Sequence, residues 1–244
     1  MNKALPKIRI VIPCYNEEYR IDIEKYNSYL KSNNHMTFLF VNDGSNDGTV
    51  HVLDKIIAKN VNASILNLDK NTGKAEAVRQ GAILLLNGEF DYIGYWDSDL
   101  STPLSEIDNF IHIFQNNLKA ICVIGSRIFK LGSNIERKWY RHLLGRIITT
   151  ILSYGPLKDI SIYDSQCGAK IFKKNMGAKI FKNSFKTKWL FDVEVLQRVK
   201  KQGSMDQIII EYPLLQWIHR DGSKIKIKDF YKIIFEIVRL FNER

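Results

Sequence analysis

Cysteine is scarce in this 244-residue chain, and long hydrophobic runs are absent. The three cysteines, Cys14, Cys122 and Cys167, form no CxxC pair, so we expect reduced thiols in a cytosolic protein and neither a disulfide framework nor a zinc site. No stretch reaches the roughly 18 uninterrupted apolar residues that a transmembrane helix needs, and the polar residues 2–7 do not form a signal peptide. The sequence therefore predicts a protein that is soluble or lies on a membrane surface.

Two familiar phosphate-binding motifs are also missing, and acidic residues are in the minority. No GxGxxG occurs, and the segment Asn71-Thr-Gly-Lys74 is not a P-loop, because Leu68 stands at the earlier glycine position and Ala75 replaces the Ser or Thr. Against 36 Lys and Arg residues there are 26 Asp and Glu residues, which gives a net charge of +10. That excess suits an anionic partner such as a nucleotide, a nucleic acid or a lipid phosphate, although solubility alone is a simpler explanation.

Apolar runs and helical periodicities alternate along the chain. The runs predict strands at 8–13, 37–41, 63–68, 92–96, 121–125, 168–172 and 208–212. The periodicities predict helices at 17–30, 49–58, 73–86, 139–154, 192–202 and 226–244. Such alternation indicates an α/β protein with a parallel sheet and helices on its faces, in which ligands bind beyond the carboxyl ends of the strands.

Asp97 and Asp99 form the sharpest chemical signal, directly after the apolar strand 92–96. Burying two carboxylates at a strand end is costly unless a cation or hydrogen-bond donors neutralise them. Mg²⁺ or Mn²⁺ prefers such hard oxygen ligands and commonly bridges to a phosphate. The alternative is a loop whose aspartates cap a helix, but the hydroxyl residues before Pro103 can cap the helix expected there. This leaves the aspartates without a structural role, and we predict a divalent metal site.

Polar residues also follow the first two predicted strands. Tyr15 can stack on a base and Glu17 can hydrogen-bond to it, while Asp43 can accept hydrogen bonds from a base or a ribose. Lys74, at the N-terminus of a predicted helix, can reach a phosphate or a base. Taken singly, the segments after the two strands are explained as well by ordinary strand-to-helix turns with polar capping residues.

The second half of the chain offers basic residues and carboxylates at further loops. Arg127 follows a predicted strand and suits a phosphate clamp, and Arg220, Ser223 and Lys224 lie in one loop that also suits phosphate. A lone loop of this kind is usually only solvated. Carboxylates in this half lie at Asp164, Asp192 and Glu194.

In their order along the chain, these motifs resemble those of glycosyltransferase family 2. The matching segments cover nearly the whole chain, at 11–17, 41–49, 71–81, 97–103, 125–127, 164–170, 189–194 and 222–224. Within the family the chain is similar to the polyprenyl-phosphate group, to the dolichyl-phosphate glucosyltransferases first and to the dolichyl-phosphate mannose synthases second. The resemblance implies a GT-A fold, a Rossmann-like, mostly parallel sheet flanked by helices. It also implies a single catalytic domain over 1–225, followed by an amphipathic C-terminal helix over 226–244.

The resemblance further implies roles for the matching residues. The nucleotide-sugar would be bound by Pro13, Tyr15, Glu17, Asp43, Ser45, Lys74 and Asp97. Mg²⁺ or Mn²⁺ would be bound by Asp97 and Asp99. The acceptor or a phosphate would be bound by Arg127, Arg220, Ser223 and Lys224. UDP-glucose is the implied donor, with GDP-mannose second, and a lipid phosphate is the implied acceptor.

Our hypothesis for the reaction is an inverting transfer in which the acceptor attacks the anomeric carbon in line. The metal and basic residues, Arg127 among them, would stabilise charge on the leaving diphosphate. A phosphomonoester acceptor needs no strong general base, because its second pKa is only about 6, whereas a sugar hydroxyl needs a carboxylate base. The candidate bases, which the sequence does not separate, are Asp164, Asp192 and Glu194.

A lipid acceptor requires a surface that faces a membrane. The segment 139–154 and the lysine-rich terminal helix can lie in the interface and place the protein on the cytoplasmic face of a membrane. Alternatively, they pack on the core or against a second copy in a homodimer. Two other functions compete: transfer to a saccharide acceptor in surface polysaccharide synthesis, and non-catalytic binding of nucleic acid. We expect no nucleic-acid partner, because Asp97 and Asp99 repel phosphate unless a metal intervenes.

Overall fold

Alternating strands and helices make up the structure, a computed structural model that describes residues 5–136, 139–203, 208–220 and 230–242. The strands of these residues are β1 (Ile8–Cys14), β2 (Met36–Asn42), β3 (Ala63–Asn67), β4 (Tyr92–Trp96), β5 (Ala120–Ser126), β6 (Asn134–Ile135), β7 (Ala169–Lys173), β8 (Ile208–Pro213) and β9 (Gln216–Trp217). The helices are α1 (Ile23–Ser32), α2 (Thr49–Ile57), α3 (Lys74–Leu85), α4 (Glu106–Asn116), α5 (Trp139–Ser153), α6 (Lys174–Phe181), α7 (Phe191–Gln202) and α8 (Phe230–Phe241). By their contacts these elements form two compact units, Met1–Leu100 with Ala169–Ser184, and Ser101–Gly168 with Phe185–Arg244.

The first unit is built on strands in the order β3-β2-β1-β4-β7. The first four are parallel, since Ile8 of β1 lies opposite both Met36 of β2 and Tyr92 of β4, and Phe38 of β2 lies opposite Ala63 of β3. The last strand, β7, runs antiparallel to β4. The carboxyl ends of four parallel strands therefore share one edge of the sheet, and the predicted mostly parallel α/β fold is confirmed.

Aromatic packing fixes α1 on this sheet. Tyr26 of α1 is fully buried and meets Phe40 of β2 edge to face, with ring centroids 5.1 Å apart. Phe38, two residues earlier on the same face of β2, lies 6.3 Å from the same ring. Each such pair contributes about 0.5–1.5 kcal/mol beyond the burial of its apolar area. The helix is thereby held where its Tyr26 hydroxyl donates to the carbonyl oxygen of Ser98, two residues after β4, at 3.1 Å.

The second unit contains the parallel pair β5 and β8, with Ser126 opposite Pro213, and the short parallel pair β6 and β9. A buried carboxylate joins α4 to the chain that follows β8. Glu106, in the first turn of α4, accepts hydrogen bonds from the backbone amides of Leu215 and Gln216 at 2.9 and 3.1 Å. These charge-assisted bonds satisfy amides that would otherwise be costly to bury.

The first helix starts later than the sequence pattern indicates. A helix was expected from residue 17, but α1 begins at Ile23. Asp22 caps it by accepting a hydrogen bond from Lys25 N at 3.1 Å. The residues before the cap form a turn in which Arg20 N donates to Glu17 O at 2.9 Å. The start was misplaced because the apolar pattern of the sequence continues from α1 back through this turn, which Asp22 separates from the helix.

Other differences concern short elements and one helix start. α4 begins at Glu106, three residues after Pro103, where the sequence predicted its start. β6 and β9 were not predicted, because two residues are too few to show a period, and the helix α6 was not predicted either. The predicted boundary between residues 225 and 226 lies outside the described residues and stays a prediction.

All three cysteines are buried, and none forms a disulfide. Within the described ranges, no helix has the length and apolar character needed to cross a membrane.

Gly94, in the middle of β4, tests the register of β4 with β7. A Cβ atom at this position would collide with the Lys170 carbonyl oxygen and would lie 2.9 Å from the Ile171 side chain. We expect Gly94→Ala to lower the free energy of unfolding by about 2–4 kcal/mol, because the strand backbone cannot yield without losing its pairing. Urea unfolding measures the change. The matched control Ser64→Ala, at an exposed position of β3, should cost less than about 0.5 kcal/mol. Equal stability of Gly94→Ala and the wild type would contradict this register.

Candidate active site

Sequence-predicted residues gather at the carboxyl edge of the first unit's sheet. They are Pro13, Tyr15 and Glu17 in and after β1, Asp43 and Ser45 after β2, Lys74 at the start of α3, and Asp97 and Asp99 after β4. The parallel register brings these strand ends side by side. Two non-glycine residues beside them, Asn16 with φ 49° and Leu100 with φ 53°, have left-handed backbone. Such strained conformations concentrate at functional sites.

Side-chain hydrogen bonds join the loop after β1 to the loop after β2. The hydroxyl of Ser45 accepts from Asn16 N at 3.0 Å, and that of Thr49 accepts from Glu17 N at 2.7 Å. Asp47 supports the second loop: burial acts to raise the pKa of this carboxyl, but hydrogen bonds from Thr49 and from backbone amides outweigh it and hold the pKa below its ordinary value. The two loops therefore form one cross-linked surface.

Asp43 connects the end of β2 to the segment before α3. One of its carboxylate oxygens accepts from Thr72 N at 2.7 Å and from the Thr72 hydroxyl at 2.8 Å, and the other accepts from Gly73 N at 2.8 Å. Asp43 is buried and thereby positions the segment that leads into Lys74. A direct contact with a nucleoside, which the sequence predicts, would share these oxygens and stays a prediction.

Each carboxylate of the Asp97 and Asp99 pair contacts a cation. Lys74 Nζ lies 2.5 Å from Asp97 Oδ1, and Arg20 Nη2 lies 2.6 Å from Asp99 Oδ2. Arg20 also donates through Nη1 to Glu17 Oε1 at 3.2 Å. The expectation that the aspartates lack a structural role is therefore wrong. Their ion pairs tie the end of β4 to α3 and to the turn after β1.

A buried tyrosine, Tyr26, holds the segment that carries Asp97 and Asp99. Burial, together with the nearby negative charges of Asp99 and Glu17, holds the pKa of Tyr26 well above its ordinary value. The hydroxyl of Tyr26 therefore stays protonated and donates its hydrogen bond to the carbonyl oxygen of Ser98, between the two aspartates. This bond helps to fix the direction in which the aspartates project.

The donor set of this edge fits a hard divalent cation. Asp97 and Asp99 supply carboxylate oxygens, the ligand type that Mg²⁺ and Mn²⁺ prefer. In the described part of the chain, no three or more His, Cys, Asp and Glu residues come together as a metal-binding group. Among the described residues, Asp97 and Asp99 are the carboxylates that would hold the ion, and Mg²⁺ usually completes its coordination with water and phosphate oxygens.

In the second unit, Arg127 and Asp164 form a bidentate ion pair. Arg127 Nε lies 2.6 Å from Asp164 Oδ2, and Arg127 Nη2 lies 2.7 Å from Oδ1. The guanidinium also lies over the ring of Trp217, 5.5 Å from its centroid. The sequence predicted both residues as site residues but not their contact. Each group can act on a substrate only together with its partner, because both carboxylate oxygens are bound to the guanidinium.

The other candidate bases lie in α7. Glu194 accepts hydrogen bonds from the Thr187 amide and hydroxyl, at 2.5 and 2.6 Å, and so fixes the loop before the helix. Asp192 is buried in the first turn of α7. Asp164 is held through its amide, which donates to Glu211 Oε1 at 2.7 Å. Asp164 and Glu194 therefore have their carboxylates engaged by the protein.

Some predicted site residues cannot be placed, and some residues of the site were not predicted. Arg220 is half-buried near the end of the described range, whereas Ser223 and Lys224 lie outside the described residues. Their grouping as a phosphate loop stays a prediction. Arg20 and Thr72 were given no role: Arg20 had only its place three residues after Glu17 as a signal, and Thr72 lay within the motif Asn71-Thr-Gly-Lys74.

Comparison with known proteins identifies a family. The sequence model described as "Glycosyl transferase family 2" matches residues 9–181. A dolichyl-phosphate beta-glucosyltransferase of Trichomonas vaginalis is 28% identical over 246 residues, covering 96% of this chain and 72% of the relative. The enzymes of the same name from Saccharomyces cerevisiae and Homo sapiens are 29% and 27% identical, and each match covers 90% of this chain and 69% of the relative.

Solved structures share the fold. The glucosyl-3-phosphoglycerate synthase of Mycobacterium tuberculosis superposes with a TM-score of 0.70 at 15% identity, covering 97% of this chain and 81% of that chain. The same protein in complex with Mn²⁺, UDP and glucosyl-3-phosphoglycerate superposes with a TM-score of 0.69 at 15% identity, covering 96% and 78%. At this identity the likeness concerns the fold alone, and it agrees with the expected GT-A architecture.

Gly44 tests the contact between the loop after β2 and the segment before α3. Its φ is 63°, and a Cβ atom there would lie 2.5 Å from the carbonyl carbon of Lys70 and 2.6 Å from Asn71 N. We expect Gly44→Ala to lower the free energy of unfolding by about 2–4 kcal/mol, through backbone strain and displacement of that segment. The control is Gly132→Ala, where φ is 82° but no atom lies within 4 Å of the Cβ position.

Urea unfolding of both variants separates strain from collision. Gly132→Ala reports the strain alone, about 1 kcal/mol. Gly44→Ala should also shift the NMR resonances of the Thr72 and Gly73 amides, which donate hydrogen bonds to Asp43. Equal losses of stability in the two variants, with unshifted Thr72 and Gly73 resonances, would show that the close approach is wrong.

Proposed function

The chain belongs to glycosyltransferase family 2 and is therefore a glycosyltransferase, and we propose that it transfers glucose from UDP-glucose to a polyprenyl phosphate such as dolichyl phosphate. The observation that carries this proposal is the carboxylate pair Asp97 and Asp99, set among cations at the carboxyl edge of a parallel sheet. A phosphate-bearing ligand with a divalent metal suits this combination of charges.

For the donor, we place the nucleoside against the cross-linked loops after β1 and β2. Tyr15 offers a half-buried ring for stacking, and Glu17 and Asp43 offer hydrogen-bond acceptors. Lys74, at the N-terminus of α3, carries a positive charge close to Asp97, where it can also meet a diphosphate. The cross-links hold this surface in place before the donor arrives, which lowers the entropy cost of binding.

For the metal, Asp97 and Asp99 would hold Mg²⁺ or Mn²⁺. A bound divalent ion supplies Lewis-acid stabilisation of the negative charge that develops on the leaving diphosphate. Lys74 and Arg20 add positive charge on either side of the pair. The glucosyl-3-phosphoglycerate synthase, which shares this fold at 15% identity and is in complex with Mn²⁺ and UDP, supports this assignment.

For the acceptor, the hydrogen bonds and ion pairs made by the candidate bases favour a phosphate. Asp164 is bound on both oxygens by Arg127, and Glu194 is bound by Thr187, which weakens both as bases toward a sugar hydroxyl. A saccharide acceptor would therefore require the third candidate, Asp192, which is buried in the first turn of α7. A phosphomonoester oxygen is already ionised near neutral pH, because its second pKa is about 6. In the proposed reaction this oxygen attacks the anomeric carbon, the bond to the diphosphate oxygen breaks, and UDP leaves. The names of the Trichomonas, yeast and human relatives support dolichyl phosphate as the acceptor.

Two helices of the second unit offer a surface for a lipid-borne acceptor. On α8 the apolar side chains Tyr231, Ile234, Phe235 and Val238 are 53–70% exposed, at a spacing that sets them on one face. On α5 the exposed apolar side chains are Leu143, Leu144, Ile147 and Ile151. Both helices lie close together, because a Cβ atom at Gly155, just after α5, would collide with the ring of Phe241 in α8. We propose that these faces rest on the cytoplasmic face of a membrane.

The transfer reaction is tested with radiolabelled UDP-glucose, polyprenyl phosphate and Mn²⁺. We expect label in the lipid extract, less label from GDP-mannose, and no product in EDTA. Asp99→Asn should lower the rate about 100-fold, because a charged ligand is lost where transition-state charge develops. Asp54→Asn, on the exposed face of α2, is the matched control and should not change the rate. Label found only in water-soluble saccharides would establish the saccharide acceptor instead.

The membrane surface is tested by sedimentation with vesicles of phosphatidylcholine and phosphatidylglycerol. We expect the wild type to sediment with the vesicles and the double variant Ile234→Ser, Phe235→Ser to bind at least about tenfold more weakly, since two exposed apolar side chains are removed. Leu118→Ser, at another exposed apolar position, should bind like the wild type. If the wild type does not bind the vesicles but dimerises through α8, a second copy of the chain covers the apolar face of this helix.

A further inference from the structure

Arg20 contacts carboxylates from two strand ends and belongs to none of the roles that the sequence implied. Its Nη1 donates to Glu17 Oε1 at 3.2 Å, and its Nη2 donates to Asp99 Oδ2 at 2.6 Å. The turn that carries it is fixed by backbone bonds, since the amides of Arg20 and Ile21 both donate to Glu17 O, at 2.9 and 3.1 Å. The guanidinium is therefore aimed at the predicted metal ligand by a rigid turn.

These groups are only partly hydrated, so their charges interact strongly. The side chains of Glu17, Asp99 and Arg20 are 6%, 16% and 24% exposed. Carboxylates removed from water to this extent cost free energy unless opposite charge compensates them. Arg20 supplies to Asp99 one positive charge in the place where a divalent metal would supply two.

A lone metal ion and Arg20 therefore compete for Asp99. Two cations on one carboxylate repel each other across a few ångströms. Glu17, Asp97 and Asp99 carry three negative charges, and Arg20 and Lys74 carry two positive charges, so a divalent ion alone leaves this cluster with a net positive charge. A nucleoside diphosphate brings at least two negative charges, which restores the balance and offers the guanidinium a second anionic partner.

We propose that Arg20 couples metal binding to nucleotide binding: it competes with a lone metal ion for Asp99, and it pairs with the diphosphate when both ligands are present. This inference rests on the proposed function, because it takes a divalent metal and a nucleoside diphosphate as the ligands of this edge. Coupling of this kind is reciprocal, so each ligand must tighten the binding of the other by the same factor.

The experiment measures two affinities on the purified full chain. Electron paramagnetic resonance of Mn²⁺ gives the affinity for the metal alone, and calorimetry gives the affinity for UDP in saturating Mn²⁺ and in EDTA. We expect Arg20→Gln to bind Mn²⁺ alone about tenfold more tightly, because a repelling charge is removed. The same variant should bind UDP with Mn²⁺ about tenfold more weakly, because a charged partner of the diphosphate is lost.

Arg79→Ala is the matched control. Arg79 is similarly exposed, 19% against 24% for Arg20, and pairs with Glu76 on α3 at 2.6 Å. Its removal takes the same charge from the same unit and should change neither affinity. Arg20→Lys keeps the charge and should stay within about threefold of the wild type for Mn²⁺ alone.

The outcomes separate this inference from the proposed function. If the wild type binds UDP with Mn²⁺ but Arg20→Gln binds Mn²⁺ alone no more tightly, the coupling role is overturned and the proposed function stands. A wild type that binds UDP no better with Mn²⁺ than in EDTA contradicts the proposed function itself. The Mn²⁺ affinity of the wild type, measured with and without UDP, tests the coupling without a variant. We expect UDP to raise this affinity at least about tenfold, and a smaller rise contradicts the coupling.

Discussion

Carboxylates that gather where parallel strands end must be compensated by positive charge, and much of the first unit is arranged around that constraint. The register of β1, β2 and β4 sets Glu17, Asp43 and Asp99 along one edge. Each of them is held by hydrogen-bond donors: Glu17 by Arg20 of the same turn, Asp99 by Arg20 from a distant segment, and Asp43 by backbone amides before α3. The loops are therefore cross-linked by the same charges that make the edge attractive to a metal. Fold stability and ligand chemistry depend on one set of interactions.

The second unit follows the same rule with a different result. Arg127 and Asp164 neutralise each other in a bidentate pair, and Glu211 holds the backbone of Asp164. The carboxylate of Glu194 accepts a hydrogen bond from Thr187 in the loop before α7. Asp164 and Glu194 are therefore weakened as general bases, and this is the physical ground for preferring an acceptor that arrives already ionised. The exposed apolar faces of α5 and α8 are consistent with an acceptor that lies in a membrane.

How much the sequence predicts depends on the range of the interaction. Strand–helix alternation and the positions of Asp97 and Asp99 after an apolar strand were readable, because both are local patterns. The start of α1 was misplaced, since apolar periodicity continues through the turn that Asp22 ends. Arg20 was missed because its partner Asp99 is 79 positions away in the chain, and no local pattern encodes that contact. The pairing of Arg127 with Asp164 was hidden for the same reason, although both residues had been singled out.

Where manganese binds tests the central claim most directly. Crystals of the protein grown with Mn²⁺ and UDP would locate the ion in an anomalous difference map recorded at the manganese absorption edge. We predict a peak within coordination distance of Asp99, with the UDP diphosphate as a further ligand and the nucleoside against the loops after β1 and β2. UDP bound at this edge without a manganese peak, or manganese bound away from Asp97 and Asp99, would contradict it.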